Sequence, residues 1–209
     1  MKIIDMNIKE YMDVLKTDAP APGGGGVSGI TAAQGISLTL MVLSLTLGKE
    51  KYKEYEEDNR KINEKCKEIY NELLEAADND KEAFIKLSEA YKLPNGTEEQ
   101  KAYKKKVIGD VSVGATEAPF RVMELAYDAL VLTEKIVGKS NKMASSDLGV
   151  AAACLKSASL SAWLNVKINI PYLNDEKLKE KFSTEGIELI DKTEKLADDV
   201  YKRVEEALW

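Results

Sequence analysis

"APAPGGGGVSGITAAQGISLTLMVLSLTL", residues 19–47, decides how the chain is read: two prolines and four consecutive glycines lead into about twenty residues without a charge. Such a length of apolar residues is enough to raise a membrane span. Gln34 and the hydroxyls of Ser28, Thr31, Ser37, Thr39, Ser44 and Thr46 argue against it, and no second span or basic flanking loop accompanies it. The expectation is a helix buried on most sides, although Val42 to Leu47 alternates as a strand would.

The glycines admit several readings. Gly24, Gly26 and Gly29 satisfy G-x-G-x-x-G, but the preceding Pro20 and Pro22 are incompatible with the strand that a dinucleotide site requires. Val27-Ser28 follows where a phosphate-binding P-loop needs Gly-Lys-Ser/Thr. A plain linker would leave a separate unit of only about twenty residues before it, too few for a domain. Two readings stay open: a tight turn into a buried helix, and a cradle in which backbone N–H groups at a helix N-terminus meet a polar or anionic ligand.

Outward from this stretch the rest reads as helices. Asn7 caps a short helix carrying Ile8, Tyr11, Met12 and Leu15. Glu50 to Ala77 is amphipathic, with Ile62, Cys66, Ile69 and Leu73 on one stripe, and Asp80 to Lys92 reads as a shorter helix stopped by Pro94. Thr97 caps a segment running to Val137 that Pro119 kinks or divides, and Ser183 to Leu208 turns Ile187, Ile190, Leu196, Val200 and Val204 inward. No succession of strands emerges. The fold class expected is all-α: one helical bundle over residues 1–209 with two hydrophobic helices, near 27–47 and 147–170, at its centre.

Composition narrows the function. The net charge of −6 offers no basic field for nucleic acid, so neither nucleic acid nor membrane is expected as a partner. The two cysteines, Cys66 and Cys154, lie far apart and read as reduced thiols of a cytoplasmic protein. Histidine is absent, so acid–base chemistry falls to Asp, Glu, Lys, Tyr or Cys.

A second loop, GKSNKMASS at residues 138–146, opens the other central helix. Ser145 or Ser146 is the natural N-cap, and Asp147 then sits in the first turn, where the dipole favours a carboxylate. Asp147 and Asn165 are 18 residues apart, a whole number of turns at about 3.6 residues each, and Asn169 lies one turn further. The three share one side of the helix, where the amides require either neighbouring helices or a polar ligand as partners.

"APAPGGGG", "GKEKY", "DKEAF", "YKLP", "APF", "SSDLGVAA" and "LNVKINI", in this order along nearly the whole chain, resemble the folate cyclodeaminase/cyclohydrolase family. The resemblance implies an all-α enzyme that interconverts N5-formimidoyl- or N10-formyl-tetrahydrofolate with the N5,N10-methenyl form, without metal or redox cofactor. It also implies self-association, as a homodimer or higher homo-oligomer, with the folate site close to subunit contacts. Pro22, Gly23, Gly24, Gly25 and Gly26, together with Ser146, Asn165 and Asn169, are the substrate-binding candidates, and Asp147, Lys49 and Tyr52 the catalytic ones. Lys49, Lys51 and Lys53, or Lys104 to Lys106, are candidates for holding a polyglutamate tail.

Overall fold

The computed structural model describes residues 2–208, and among them there are six α-helices and no strand. They are α1 (Ile8–Leu15), α2 (Gly24–Ser44), α3 (Glu56–Tyr91), α4 (Glu98–Ile136), α5 (Ser145–Asn169) and α6 (Glu176–Glu206). Short 3-10 turns at Ile3–Asp5, Glu50–Tyr55, Lys142–Ala144 and Ile170–Tyr172 join them.

α2 and α5 form the centre. Glycine is what lets them meet: a Cβ on Gly35 would stand 2.8 Å from Leu155 Cγ and 3.1 Å from the Ala151 carbonyl. Gly24 faces Asn165 while Gly35 faces Leu155, so the two helices run antiparallel. Gly29 makes the same close approach to Ala77 of α3. By length and hydropathy α2 would pass for a membrane span, but 56% of its apolar window is buried inside the bundle. Leu43, Leu130, Leu148, Leu155 and Val166 are fully buried around it. Truncating such a leucine to alanine costs about 2–5 kcal/mol.

Thr39 and Thr133 join α2 to α4 through a buried 2.8 Å hydroxyl bond. Thr133 already donates to the Ala129 carbonyl, so Thr39 is the donor between them. α2 is followed by Gly48 and α4 by Gly138, both at positive φ (73° and 78°), where glycine alone is unstrained.

Several expectations need correction. α3 is one continuous helix, beginning at Glu56 and running through the Asp78–Asp80 region, where the sequence suggests a break. Those two aspartates do not unwind it because each carboxylate accepts an N–H from outside the helix: Ile3 donates to Asp78 at 2.7 Å, and Gly26 to Asp80. Val42 to Ser44 is helical, with no strand there. α4 runs unbroken through Pro119. The N-cap of α5 is Ala144, not Ser145 or Ser146, because the Ser145 hydroxyl donates back to the Lys142 carbonyl. Ile8 (80% exposed), Met12 (53%) and Ile187 (56%) face outward, leaving Tyr11 as the buried residue of α1.

Candidate functional site

The N-terminus of α2 opens into a cleft of about 300 Å³ bounded by the glycine loop, α3, the C-terminal end of α5 and the turn at Ile170–Tyr172. No side chain of its own loop caps α2 from Gly23. The cap comes from α3, where the Asp80 carboxylate accepts the Gly26 N–H. This placement depends on glycine, since a Cβ at Gly25 would fall 1.9 Å from Asp80 Oδ1. Burial pushes the Asp80 carboxyl up to about 6, and the Gly26 N–H pulls it partly back. At neutral pH it is mostly ionised yet easily protonated, which suits a group that must take up and return one proton.

Two amides stand opposite. Asn165 packs beside Gly24, 3.2 Å from where a Cβ would be, and its Nδ2 donates to the Ser161 carbonyl at 2.8 Å. Asn169 Nδ2 donates to the carbonyls of Ala115 (2.8 Å) and Asn165 (2.9 Å). Phe84 and Leu87 supply apolar surface beside them. Tyr91 and Tyr172 meet edge to face, centroids 6.2 Å apart, at the rim. Aromatic walls next to oriented amides suit a flat, polar ring system. Tyr172 also lines an adjoining cavity of about 540 Å³, whose wall carries Lys101, Lys104, Lys105 and Lys179. Lys104 Nζ there donates to the carbonyls of Tyr91 (2.6 Å) and Leu93 (3.0 Å), closing the end of α3.

The substrate-binding candidates are divided. Gly23, Gly24, Gly25, Asn165 and Asn169 line the cleft together, with buried Pro22 and Gly26 behind them. Ser146 lies at the other end of α5, as do the three catalytic candidates. Asp147 is in the first turn of α5, about 27 Å from Asn165 at roughly 1.5 Å per residue. Tyr52 is buried and its hydroxyl accepts the Lys142 N–H at 3.2 Å; Lys49 precedes it in the same segment. Residues spaced by whole turns share a face without sharing a position along the axis, so one chain does not bring Asp147, Lys49 and Tyr52 onto a ligand beside the glycines. Sequence reasoning missed Asp80, Phe84, Tyr91 and Tyr172 as site residues. The first two lie within "DKEAF" and Tyr91 within "YKLP", stretches that carry the family resemblance without marking a role for any one residue. Among the described residues no group of three His, Cys, Asp or Glu side chains converges to hold a metal ion.

An all-helical frame that presents a carboxyl, oriented amides and aromatic walls around one cleft fits an enzyme site for a small polar ligand. The sequence matches the family model described as formiminotransferase-cyclodeaminase over residues 7–187, and the chain belongs to this family. It is 34% identical, over 94% of its length and 95% of the relative's, to a methenyltetrahydrofolate cyclohydrolase of Methylorubrum extorquens. It is 27% identical to the formimidoyltransferase-cyclodeaminase of Mus musculus, with 86% of the chain aligned to 33% of that longer protein. The crystal structure of formiminotetrahydrofolate cyclodeaminase from Thermotoga maritima superposes with a TM-score of 0.80 at 27% identity, over 99% of this chain and 98% of the other.

Proposed function

We propose that the chain is a formimidoyltetrahydrofolate cyclodeaminase. The observation that carries this reading is Asp80, a carboxyl tuned to about 6 and held beside two amides in an aromatic-walled cleft. In the reaction N10 of the folate attacks the formimidoyl carbon and forms the N10–C bond. The formimidoyl group reacts as its protonated amidinium, and Asp80 takes the N10 proton and returns it to the formimidoyl nitrogen, which then carries three hydrogens. The bond from carbon to that nitrogen then breaks, ammonia leaves, and N5 and N10 share the positive charge of the methenyl product. One carboxyl acts as base and then as acid, which a proton affinity near neutrality allows.

Phe84, Tyr91 and Tyr172 would pack on the folate rings, and the lysine-lined cavity beyond Tyr172 fits the carboxylates of one or several glutamates. Of the two lysine clusters, Lys104 and Lys105 adjoin the cleft, whereas Lys49, Lys51 and Lys53 are at the far end. A cytoplasmic setting goes with this chemistry.

A second copy would seat on the exposed faces of α2 and α5. α2 carries no charged residue, and Met41 of α2 with Val150, Leu164 and Ile168 of α5 are exposed. A two-fold axis passing outside the exposed face of α5, level with its middle, would pack α5 antiparallel against its copy and bring Asp147 of the partner subunit towards the cleft. In that arrangement Asp147 retains a role in stabilising the methenyl cation.

A second reading, methenyltetrahydrofolate cyclohydrolase, is favoured by the 34% identity to a relative of nearly the same length. Water would replace ammonia at the same carbon, and Asp80 would move the corresponding proton. The test is purified protein given N5-formimidoyl-tetrahydrofolate, with ammonia and methenyl absorbance followed together, and methenyltetrahydrofolate as parallel substrate. Equal amounts of ammonia and methenyl support the cyclodeaminase. Loss of methenyl absorbance alone supports the cyclohydrolase, and inactivity on both overturns the enzyme reading.

A further inference from the structure

Pro119 stands inside α4, where a proline lacks the N–H that would close on the carbonyl four residues earlier. That carbonyl belongs to Ala115, which is buried and lines the cleft. Its partner comes from another helix: Asn169 Nδ2 donates to it at 2.8 Å. The other hydrogen of the same amide goes to the Asn165 carbonyl at 2.9 Å. With both hydrogens on carbonyl oxygens the amide has one orientation, because a flip would set its oxygen against two acceptors. Asn169 Oδ1 is left as the atom the amide can offer a ligand.

We propose that Pro119 is a specificity-positioning residue of the cleft: it reserves the Ala115 carbonyl for Asn169 and thereby presents Asn169 Oδ1 as an acceptor for an N–H donor on the ligand's ring system. The inference rests on reading the cleft as the ligand site. It gives a cause for a helix-weakening residue in the middle of a 39-residue helix. With an N–H at position 119, α4 would draw the Ala115 carbonyl into its own ladder and the ring would no longer push that oxygen outward. The Asn169 amide would then share or lose its anchor. Pro119 touches no reacting atom, so its effect is read through Asn169.

The test uses Pro119→Ala, Asn169→Ala and the double variant in the full chain. Alanine is the best helix former, so Pro119→Ala is expected to fold with an equal or higher melting temperature. In 15N-labelled protein without ligand, the Asn169 side-chain NH2 pair, assigned by its loss in Asn169→Ala, exchanges slowly with solvent. In Pro119→Ala it should exchange at least about tenfold faster. Calorimetric titration with tetrahydrofolate should show Pro119→Ala weakening the Kd by about tenfold, the worth of one oriented hydrogen bond. The double variant should bind no more weakly than Asn169→Ala alone, since both changes act through one amide. Unchanged exchange in Pro119→Ala, or losses that add in the double variant, would overturn the inference. A parent chain that fails to bind tetrahydrofolate would overturn the proposed function instead, and the exchange comparison would still decide the role of Pro119.

Discussion

The two ends of the α2/α5 pair are built from similar parts and do different work. At one end a glycine run opens α2 and two asparagines close α5; at the other a serine-rich loop opens α5 beside Lys49 and Tyr52. Both have a helix N-terminus and a nearby aspartate. At the first, Asp80 arrives from a third helix, is partly buried, and accepts the Gly26 N–H beside the cleft. At the second, Asp147 belongs to the first turn of the helix it faces and is partly buried as well. A carboxylate from another element can stand against the N-terminus of α2 because the glycines leave it room, and burial there pushes its pKa up. What sets Asp80 apart is the N–H it meets across the glycines from another helix, not proximity to a helix end.

The sharpest attempt to break this contrast is Asp80→Asn, which should lower turnover by about 10²–10⁴-fold, the usual range for a general acid–base group, while tetrahydrofolate affinity stays within about threefold. Steady-state kinetics and calorimetry check it, and the parent's kcat/KM should fall as the pH drops below about 6. If Asp147→Asn alone produced the larger loss, the roles of the two ends would have to be exchanged. Next in size is complementation. In the two-fold arrangement, mixing inactive Asp80→Asn and Asp147→Asn chains and letting them re-associate should restore about a quarter of parental activity, since half the dimers are mixed and each has one intact site. No recovery would confine the chemistry to the Asp80 end.

The third comparison concerns stability. Asp80 binds its proton more tightly folded than unfolded, so its contribution is fully present below about pH 4 and lost as the pH rises through about 6. Asp80→Asn should therefore be more stable than the parent at pH 8 by up to about 3 kcal/mol, each tenfold change in proton affinity being worth about 1.4 kcal/mol, and equal near pH 4. Urea unfolding at both pH values reads this directly. The smallest effect separates the lysines. Lys104→Ala with Lys105→Ala should weaken binding of a pentaglutamyl tetrahydrofolate by about tenfold, and Lys51→Ala with Lys53→Ala by less than about twofold, as expected for exposed lysines away from the ligand.

The all-helical class was legible because apolar spacing, the Asn7 and Thr97 caps and the punctuation at Pro94 and Gly138 all point the same way. The glycine loop and the pair Asn165/Asn169 were legible as polar or strained groups in need of partners. Asp80 was not, because nothing local marks it: within "ADNDKEAF" it resembles a helix-breaking surface residue. What makes it a site residue is Gly25 and Gly26, more than fifty positions earlier. The grouping of Asp147 with Asn165 failed for a related reason, since helical periodicity gives angle about the axis and is silent about distance along it. Pro119 reads as a kink because its missing N–H is local, while the Asn169 amide that uses the freed carbonyl comes from α5.

The short turn before α1 has its own consequence. Ile3 is buried, its N–H donates to Asp78, and its methyl end packs where a Cβ on Gly26 would lie. The second Asp78 oxygen is buried without a partner. Peeling this turn away would strand a whole carboxylate and uncover the back of the glycine run, so the Ile3 amide should resist deuterium exchange as a core amide does. Tension on the chain ahead of Ile3 would load that latch, and Asp78 of α3 and the back of the glycine run would both feel it.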